Sequence, residues 1–245
     1  MRDTKKFKQS LTSIVAVLTI GFSGPGVLAE EGVLRAKVGY GLANYQSPSS
    51  SGDIASTYTT LGLGVTYIFP SNTFVDFTTK RAGADALYNA KSVTGGQVTS
   101  DQTFSRTEHT LTVGMPFDNG MQGNAGIFTA DTIYNLAKYG QFSQKITGLA
   151  LGVGQGINFN EGVAGTLGFN GALALLNASS VDRYGNANNS LLSYGLSLGA
   201  IYNYMFNKNI GVSADAKFQS YFIKYSNFSG DERIISAGLS LIAQF

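Results

Sequence analysis

Few residues in this 245-residue sequence could carry out covalent chemistry. The single histidine is His109, in Glu108-His109-Thr110, and nothing in the sequence indicates a serine nucleophile within hydrogen-bond reach of it. The absence of cysteine excludes a thiolate nucleophile, a thiolate metal ligand and a disulfide. The glycine-rich run 152–156 is not a phosphate loop, because no Lys-Ser/Thr follows it. We therefore predict no catalytic, cofactor-binding or metal-binding residues.

Six charged residues form pairs at even spacing. The pairs are Arg35 and Lys37, Asp76 and Lys80, and Asp215 and Lys217. Even spacing puts both members of a pair on the same face of a β-strand. Charges of both signs on one face indicate either a constriction that selects charged solutes or ion pairs that plug a narrow interior. We favour the plug.

The segments that carry these pairs have the period of two that is typical of β-strands. In 58–69, for example, Leu61, Leu63, Val65, Tyr67 and Phe69 alternate with Thr and Gly. The runs 192–206 and 235–245 alternate in the same way apart from Ile201, Met205 and Ile242, and the other seven runs alternate less cleanly, 163–175 least of all. Alternation predicts ten strands, near 33–43, 58–69, 73–81, 107–117, 124–133, 146–159, 163–175, 192–206, 210–222 and 235–245.

Five of these runs end on a phenylalanine: Phe69, Phe117, Phe159, Phe206 and Phe245. Short turn sequences such as Pro70-Ser71-Asn72 follow the first four. The other connections are longer and polar, namely 46–56, 83–104, 135–144, 177–189 and 225–231. Short turns at one end and long loops at the other are typical of a transmembrane β-barrel. The five phenylalanines are then expected to form a girdle at one membrane interface.

The face opposite the apolar residues carries mainly Gly, Ser, Thr, Ala and Asn, which are too small and polar to fill a soluble core. An apolar outer face in lipid is the arrangement that suits this pattern. A helical membrane protein is disfavoured because the glycines in 162–181 would each cost a helix about 1 kcal/mol. A secreted β-sandwich is the other alternative.

The inward-facing glycines on the sixth to eighth strands indicate either an off-centre passage through the lumen or relief of crowding on a tightly curved sheet. We favour the second interpretation.

The N-terminus has the features of a secretory signal peptide. Arg2, Lys5, Lys6 and Lys8 precede an apolar run, which is followed by Gly24-Pro25-Gly26 and a small residue, Ala29. We predict cleavage after Ala29, with residues 30–245 as one barrel domain. Loss of residues 1–29 leaves 13 Lys and Arg against 14 Asp and Glu. This balance gives no basis for a nucleic-acid partner.

With its signal, alternating strands and C-terminal Leu241-Ile242-Ala243-Gln244-Phe245, the chain resembles bacterial outer-membrane β-barrel proteins. The resemblance implies an all-β, closed antiparallel transmembrane barrel in the outer membrane of a Gram-negative bacterium. It also implies short periplasmic turns, long extracellular loops, outer-membrane lipid around the barrel, and recognition of the strand ending at Phe245 by the barrel-assembly machinery. Outer-membrane proteases of the omptin type are similar in size, but their Asp-His pairing has no counterpart at Glu108-His109.

Two functions are compatible with such a barrel. The first is a small porin-like or structural protein with a narrow, charge-paired lumen. The alternative is a surface adhesin that binds an extracellular ligand through loops 83–104 and 177–189, where tyrosines lie among small polar residues. An enzyme acting on lipid is a weaker third hypothesis, so we expect a protein that is not an enzyme.

Overall fold

The computed structural model describes residues 32–47, 54–82, 86–91, 97–98, 102–117, 120–136, 140–159, 165–181, 184–226 and 229–245. The predicted signal peptide with Ala29 lies outside these residues, as do parts of the predicted loops 83–104 and 177–189. The strands are β1 (Val33–Ser47), β2 (Ile54–Ile68), β3 (Phe74–Ala82), β4 (Ala86–Lys91), β5 (Gln97–Val98), β6 (Gln102–Pro116), β7 (Met121–Leu136), β8 (Gly140–Asn158), β9 (Thr166–Val181), β10 (Ala187–Asn189), β11 (Ser193–Met205), β12 (Ile210–Lys224) and β13 (Ser229–Gln244). Within the described part, no helix is long and apolar enough to cross a bilayer.

Ten of these strands form a closed antiparallel barrel, as the sequence predicted. The order around the barrel is β1-β2-β3-β6-β7-β8-β9-β11-β12-β13. The barrel closes because β1 pairs with β2 on one side and with β13 on the other. The short strands β4, β5 and β10 extend the sheet above β2, β6 and β9. Closure satisfies the backbone groups of every barrel strand, which is the condition for crossing lipid.

The outer surface of the barrel is apolar, as predicted. Val65, Leu196 and Leu239 are 47%, 40% and 69% exposed, so they do not form a dry central core. Ile201 and Ile242, which interrupt the alternation, are instead buried inside the barrel. Exposed Leu, Val, Ile, Phe and Tyr side chains therefore surround the barrel, and lipid is the environment in which such a surface is stable.

This apolar belt has the height of a membrane. On β8 the outward-facing residues are apolar from Leu149 to Phe159, with Gln155 as the exception, and become polar at Thr147 and Lys145. Ten steps of about 3.3 Å along a strand tilted by roughly 40° rise about 25 Å, which is the usual height of the apolar band. β8 continues for several residues above Leu149 toward the loop end, so the barrel projects beyond the membrane.

Because the strands project beyond the apolar belt, their observed boundaries differ from the predicted ones. β1, β7, β9 and β12 run further toward the loop end than predicted, and β2, β6, β8 and β13 start earlier. Residues 135–144, predicted as a loop, belong mostly to β7 and β8, with 137–139 between them. Polar outward side chains such as Lys145 caused the error, because the apolar side of the alternation disappears where the strands leave lipid.

The interior of the projecting part also differs from the prediction of a small, polar lumen. At the loop end the inward side chains are bulky and packed: the buried cluster includes Tyr45, Tyr58, Phe104, Tyr134, Ile146, Ile223 and Ile234. Phe104 is central, with ring centroids 4.9–5.4 Å from Tyr45, Tyr58 and Tyr134. At membrane level the lining is glycine-rich and polar as predicted, except for the buried side chains of Phe74, Ile201 and Ile242.

Candidate functional site: the cross-braced lumen

An ion cluster lies across the lumen just above the apolar belt. Arg106, on β6, is 2% exposed and donates from Nε to Glu108 Oε1 at 2.7 Å and from Nη1 to Thr132 Oγ1 at 2.7 Å. Its Nη1 also lies 3.5 Å from Glu232 Oε2, on β13. The guanidinium carbon is 5.8 Å from the centre of the Tyr45 ring, within cation–π range. One side chain thus links β1, β6, β7 and β13.

A second bridge crosses the lumen between two tyrosines. The Tyr134 hydroxyl, on β7, donates to the Tyr45 hydroxyl, on β1, at 2.6 Å. Four strand steps separate β1 from β7 in the ten-stranded barrel, so the two side chains come from nearly opposite walls. Burial of both rings makes this hydrogen bond part of the packed loop-end core.

A third bridge lies lower, where Lys80 Nζ on β3 is 3.5 Å from Asp215 Oδ2 on β12. The strands between them carry glycine beneath the bridge. A Cβ on Gly62 would meet Lys80 Cγ at 3.6 Å, and a Cβ on Gly238 would meet Asp215 Oδ1 at 3.1 Å. The side chains are 23% and 16% exposed, so water reaches this ion pair.

The other predicted lumen charges also lie on the inward face. Asp76 is buried and accepts a hydrogen bond from Thr66 Oγ1 at 2.5 Å. Arg35 Nε donates to Gln244 Oε1 at 2.7 Å near the short-turn end. Lys37 and Lys217 are inward-facing and half-buried. Of the six predicted residues, Lys80 and Asp215 form a direct ion pair.

Three charged residues of the site were missed by the sequence analysis: Arg106, Glu108 and Glu232. Arg106 and Glu232 lie beyond the predicted ends of their strands, so no inward phase was assigned to them. Glu108 was considered only as the neighbour of His109. The period-two alternation could have identified them. Arg106 and Glu108 lie at even spacing from the inward-facing Thr110, and Glu232 lies two residues from the inward-facing Ile234.

Gly148 and Gly195, on the sixth and eighth predicted strands, are covered by aromatic rings rather than bare. A Cβ on Gly148 would lie 2.2 Å from Phe128 Cε1, and one on Gly195 would lie 2.6 Å from Tyr221 Cδ1. The Phe128 and Tyr221 rings stack with centroids 5.8 Å apart at 19°. These two glycines make room for rings that reach across from β7 and β12.

His109 points outward at the upper edge of the belt, where its Nδ1 lies 2.8 Å from Thr79 Oγ1. Among the described residues, no group of three or more His, Cys, Asp or Glu side chains could hold a metal ion.

The five strand-end phenylalanines, Phe69, Phe117, Phe159, Phe206 and Phe245, have exposed side chains at the short-turn end. Tyr184 of segment 177–189 is exposed, whereas Ala178 and Ser180 face inward.

Comparison with known proteins supports the fold. No protein-family model matches the sequence, and no curated protein matches it. Among solved structures, the outer-membrane protease OmpT from Escherichia coli is similar, with a TM-score of 0.57 at 10% identity over 93% of this chain and 99% of OmpT. Neisserial surface protein A scores 0.39 at 14% identity, covering 84% of this chain and 95% of its own. OprG from Pseudomonas aeruginosa scores 0.40 at 12% identity, covering 88% and 96%.

The closed barrel and its membrane-high apolar belt define the class of protein. It is an integral outer-membrane β-barrel of ten strands. The likeness to OmpT extends to the fold and, at 10% identity, no further.

Proposed function

We propose that the protein is a closed structural barrel of the outer membrane, with no continuous pore for ions or polar solutes. The observation that carries this proposal is that side chains bridge opposite walls at three levels. The bridges are Lys80–Asp215, Arg106–Glu232 and Tyr134–Tyr45. Ten strands enclose little more space than the eight whose interior is just filled by side chains, so a few bridges are enough to close the lumen.

Closure of the lumen depends most on the two bridges at the loop end, Arg106–Glu232 and Tyr134–Tyr45. Arg106 is surrounded by Glu108, Glu232 and Thr132, and aromatic rings pack above it. An ion pair in such a site is costly to separate, because each charge would lose its partner in a region of low dielectric constant. The plug is therefore expected to stay in place under ordinary transmembrane voltages.

A solute-permeability assay tests the proposal. Proteoliposomes containing the wild-type barrel should swell no faster in isotonic KCl or arabinose than empty liposomes. Arg106→Ala should swell faster, because it leaves Glu108 and Glu232 without their cation and opens the plug. Arg233→Ala is the matched control: the Arg233 side chain faces outward, is 53% exposed and forms a surface ion pair with Asp231 at 3.8 Å. Wild-type swelling at the rate of an open porin would overturn the proposal.

A second candidate function is binding at the cell surface through segments 83–104 and 177–189. The observation that favours it is that the strands project beyond the belt on a packed interior, so these segments rest on a rigid support. β4, within 83–104, pairs with β2 and β6, and β10 pairs with β9. Replacing each segment by a short Gly-Ser connection should abolish adhesion of expressing cells to host-matrix proteins while leaving the barrel folded. Unchanged adhesion would exclude this role.

The C-terminal strand is the proposed signal for the barrel-assembly machinery, and the five girdle phenylalanines are proposed to anchor the short-turn end at the periplasmic interface. Phe245 closes the barrel, since its backbone N–H donates to Leu34 O at 2.8 Å and its carbonyl accepts from Leu34 N–H at 3.1 Å. Phe245→Ala should slow assembly in cells.

We do not infer protease activity from the similarity to OmpT, because the single histidine of this sequence faces outward and contacts Thr79. We propose a non-enzymatic barrel.

A further inference from the structure

The register of the barrel determines which residues on opposite walls lie at the same height. A path through directly paired residues leaves β8 at Lys145 and returns to β8 at Ile157, twelve residues nearer the short-turn end. Because the strands are tilted, this path descends steadily around the ten strands. It passes Arg81 on β3 and, five strands further on, Tyr202 on β11, which is therefore six residues lower. The β11 residue level with Arg81 is Leu196, six residues from Tyr202 toward the loop end.

Opposite walls of the barrel carry different outward residues at the upper edge of the apolar belt. On β3, β6 and β7 these residues are polar, and we call them the polar notch: Thr79, Arg81, His109 and Thr129. The residues level with them on β11, β12 and β13 are all apolar, namely Leu198, Leu196, Phe218 and Ile235 in the same order. The apolar surface therefore reaches higher on the wall opposite the notch.

The lower edge of the belt is level, which excludes a simple tilt of the barrel as the cause. Phe117 at the end of β6 and Ile210 on β12 lie at the same height on opposite walls, and both are apolar and exposed. On β3 the first apolar outward residue below the notch is Phe77, whereas on β11 the apolar residues continue at least to Leu196. Leu196 lies four residues above the level of Phe77, a rise of about 10 Å on a strand tilted by roughly 40°. The belt is thus wedge-shaped, with its thin side at the polar notch.

A bilayer adapts to the thin side of such a belt by thinning locally. Without that adaptation, Arg81 would lie at the depth of the hydrocarbon that covers Leu196, where a charge is stable only beside water or an opposite charge. Thinning brings the lipid headgroups down to Arg81. It leaves Phe77 and Leu111, the apolar outward residues next below Thr79 and His109, in contact with acyl chains. Headgroups and polar side chains therefore meet at the notch.

The side chains of the notch suit a phosphate group. Arg81 is exposed, and its guanidinium group can donate two parallel hydrogen bonds to phosphate oxygens. Among the described residues, Arg81 forms no salt bridge. The Thr79 hydroxyl and His109 Nδ1, 2.8 Å apart, supply further hydrogen-bonding groups beside it. Asp131, the outward carboxylate of β7, is paired in register with Lys145 on β8, which offsets its charge.

We propose that the polar notch binds the phosphate headgroup of an anionic outer-leaflet lipid and thereby lowers the outer leaflet on this side of the barrel. Arg81 supplies the complementary charge, and Phe77 and Leu111 support the acyl chains of the same lipid. Free phosphate would gain nothing from that apolar surface, so a lipid is the expected occupant. The proposal does not depend on whether the lumen is closed.

A single introduced tryptophan can report on the lipid beside it, because the sequence contains none. Phe77→Trp places the reporter directly below the notch. Ala200→Trp is the matched control, since Ala200 faces outward at the same height on β11. Each folded variant is reconstituted in phosphatidylcholine with a minor share of phosphatidylglycerol. Bromine at different depths on the acyl chains quenches the fluorescence and reports the depth of the tryptophan, and bromine on one lipid class alone reports which lipid is its neighbour.

We expect Phe77→Trp to be quenched most by bromine near the headgroup and Ala200→Trp by bromine near the chain ends. Beside Phe77→Trp, brominated phosphatidylglycerol should bind about fivefold better than brominated phosphatidylcholine, the factor expected for one basic residue at an anionic surface. Arg81→Gln should remove this preference. Arg233→Gln, which changes an outward basic residue on β13, should leave it intact. Leu111→Trp replaces the first reporter if Phe77→Trp folds poorly.

Four results would overturn the proposal. Equal depths for the two reporters would show that the outer leaflet is not lowered at the notch. A preference for phosphatidylglycerol that survives Arg81→Gln would place the lipid site elsewhere. Loss of the preference in excess inorganic phosphate would identify a soluble anion as the ligand. A Phe77→Trp reporter that no lipid quenches, while Ala200→Trp is quenched, would show that protein covers the notch.

Discussion

Tyr134 donates a hydrogen bond of 2.6 Å to Tyr45 across the lumen, and Phe104 packs against both rings. The contact joins β7 to β1, strands that share no backbone hydrogen bonds. In this part of the barrel, stability therefore depends on side chains that connect opposite walls as well as on the pairing of neighbouring strands.

Removal of one hydroxyl from this pair should weaken the barrel modestly. Tyr134→Phe is expected to lower the free energy of unfolding by about 1 kcal/mol, since a buried hydrogen bond contributes roughly that much. Tyr45→Phe should have a similar effect, and the double variant should cost less than the sum of the two. Urea unfolding in lipid vesicles measures these values. Strict additivity would show that the two hydroxyls do not interact.

Removal of the central cation should be far more damaging. Arg106→Ala leaves Glu108 and Glu232 in a buried site without the guanidinium, and breaking a buried ion pair typically costs about 3–5 kcal/mol. The exposed Arg233→Ala should cost less than about 1 kcal/mol, because surface ion pairs contribute little. The same unfolding assay compares the two. Equal effects would mean that the Arg106 cluster does not support the loop end.

Loss of the lower ion pair, Lys80–Asp215, should reduce the free energy of unfolding by an intermediate amount. Asp215→Ala removes the partner of Lys80, and the partial exposure of both side chains allows water to compensate in part. We expect a loss of roughly 1–2 kcal/mol in unfolding free energy, between the surface and buried cases. If Asp215→Ala and Lys217→Ala both leave stability and permeability unchanged, the lumen charges have no structural role.

Gly148 should tolerate no side chain while Phe128 is present. A Cβ at Gly148 would approach Phe128 Cε1 to 2.2 Å and Leu176 Cδ2 to 2.9 Å. Gly148→Val is expected to destabilise the barrel by about 1–3 kcal/mol through overpacking. In the Phe128→Ala background the same change should cost less, because the ring is gone. Equal costs in both backgrounds would show that the ring does not require this glycine.

The sequence predicted the barrel well because its signal is strong where lipid is present. Between Leu61 and Phe69, apolar outward residues alternate with small inward ones, and the strand follows directly. Above the belt both faces change character. Outward positions such as Lys145 become polar, and inward positions such as Tyr45 become bulky, so the alternation no longer identifies a membrane strand. The loop-end core was missed for that reason.

The site was predicted only in part for a related reason. Phase alone identifies which charges face inward, as for Lys80 and Asp215, but it does not say which of them meet across the barrel. That pairing depends on strand order and stagger, which place β3 opposite β12. Arg106 and Glu232 are 126 residues apart in sequence, and only barrel closure brings them together.

The central claim is that the lumen is closed by side chains from opposite walls, and single-channel recording of the wild-type barrel in a planar bilayer tests it most directly. In molar KCl, insertion of folded protein should produce no resolved openings at moderate voltages of either sign. Arg106→Ala should produce discrete steps under the same conditions. A steady ohmic conductance from the wild-type protein, unchanged in Arg106→Ala, would contradict the account.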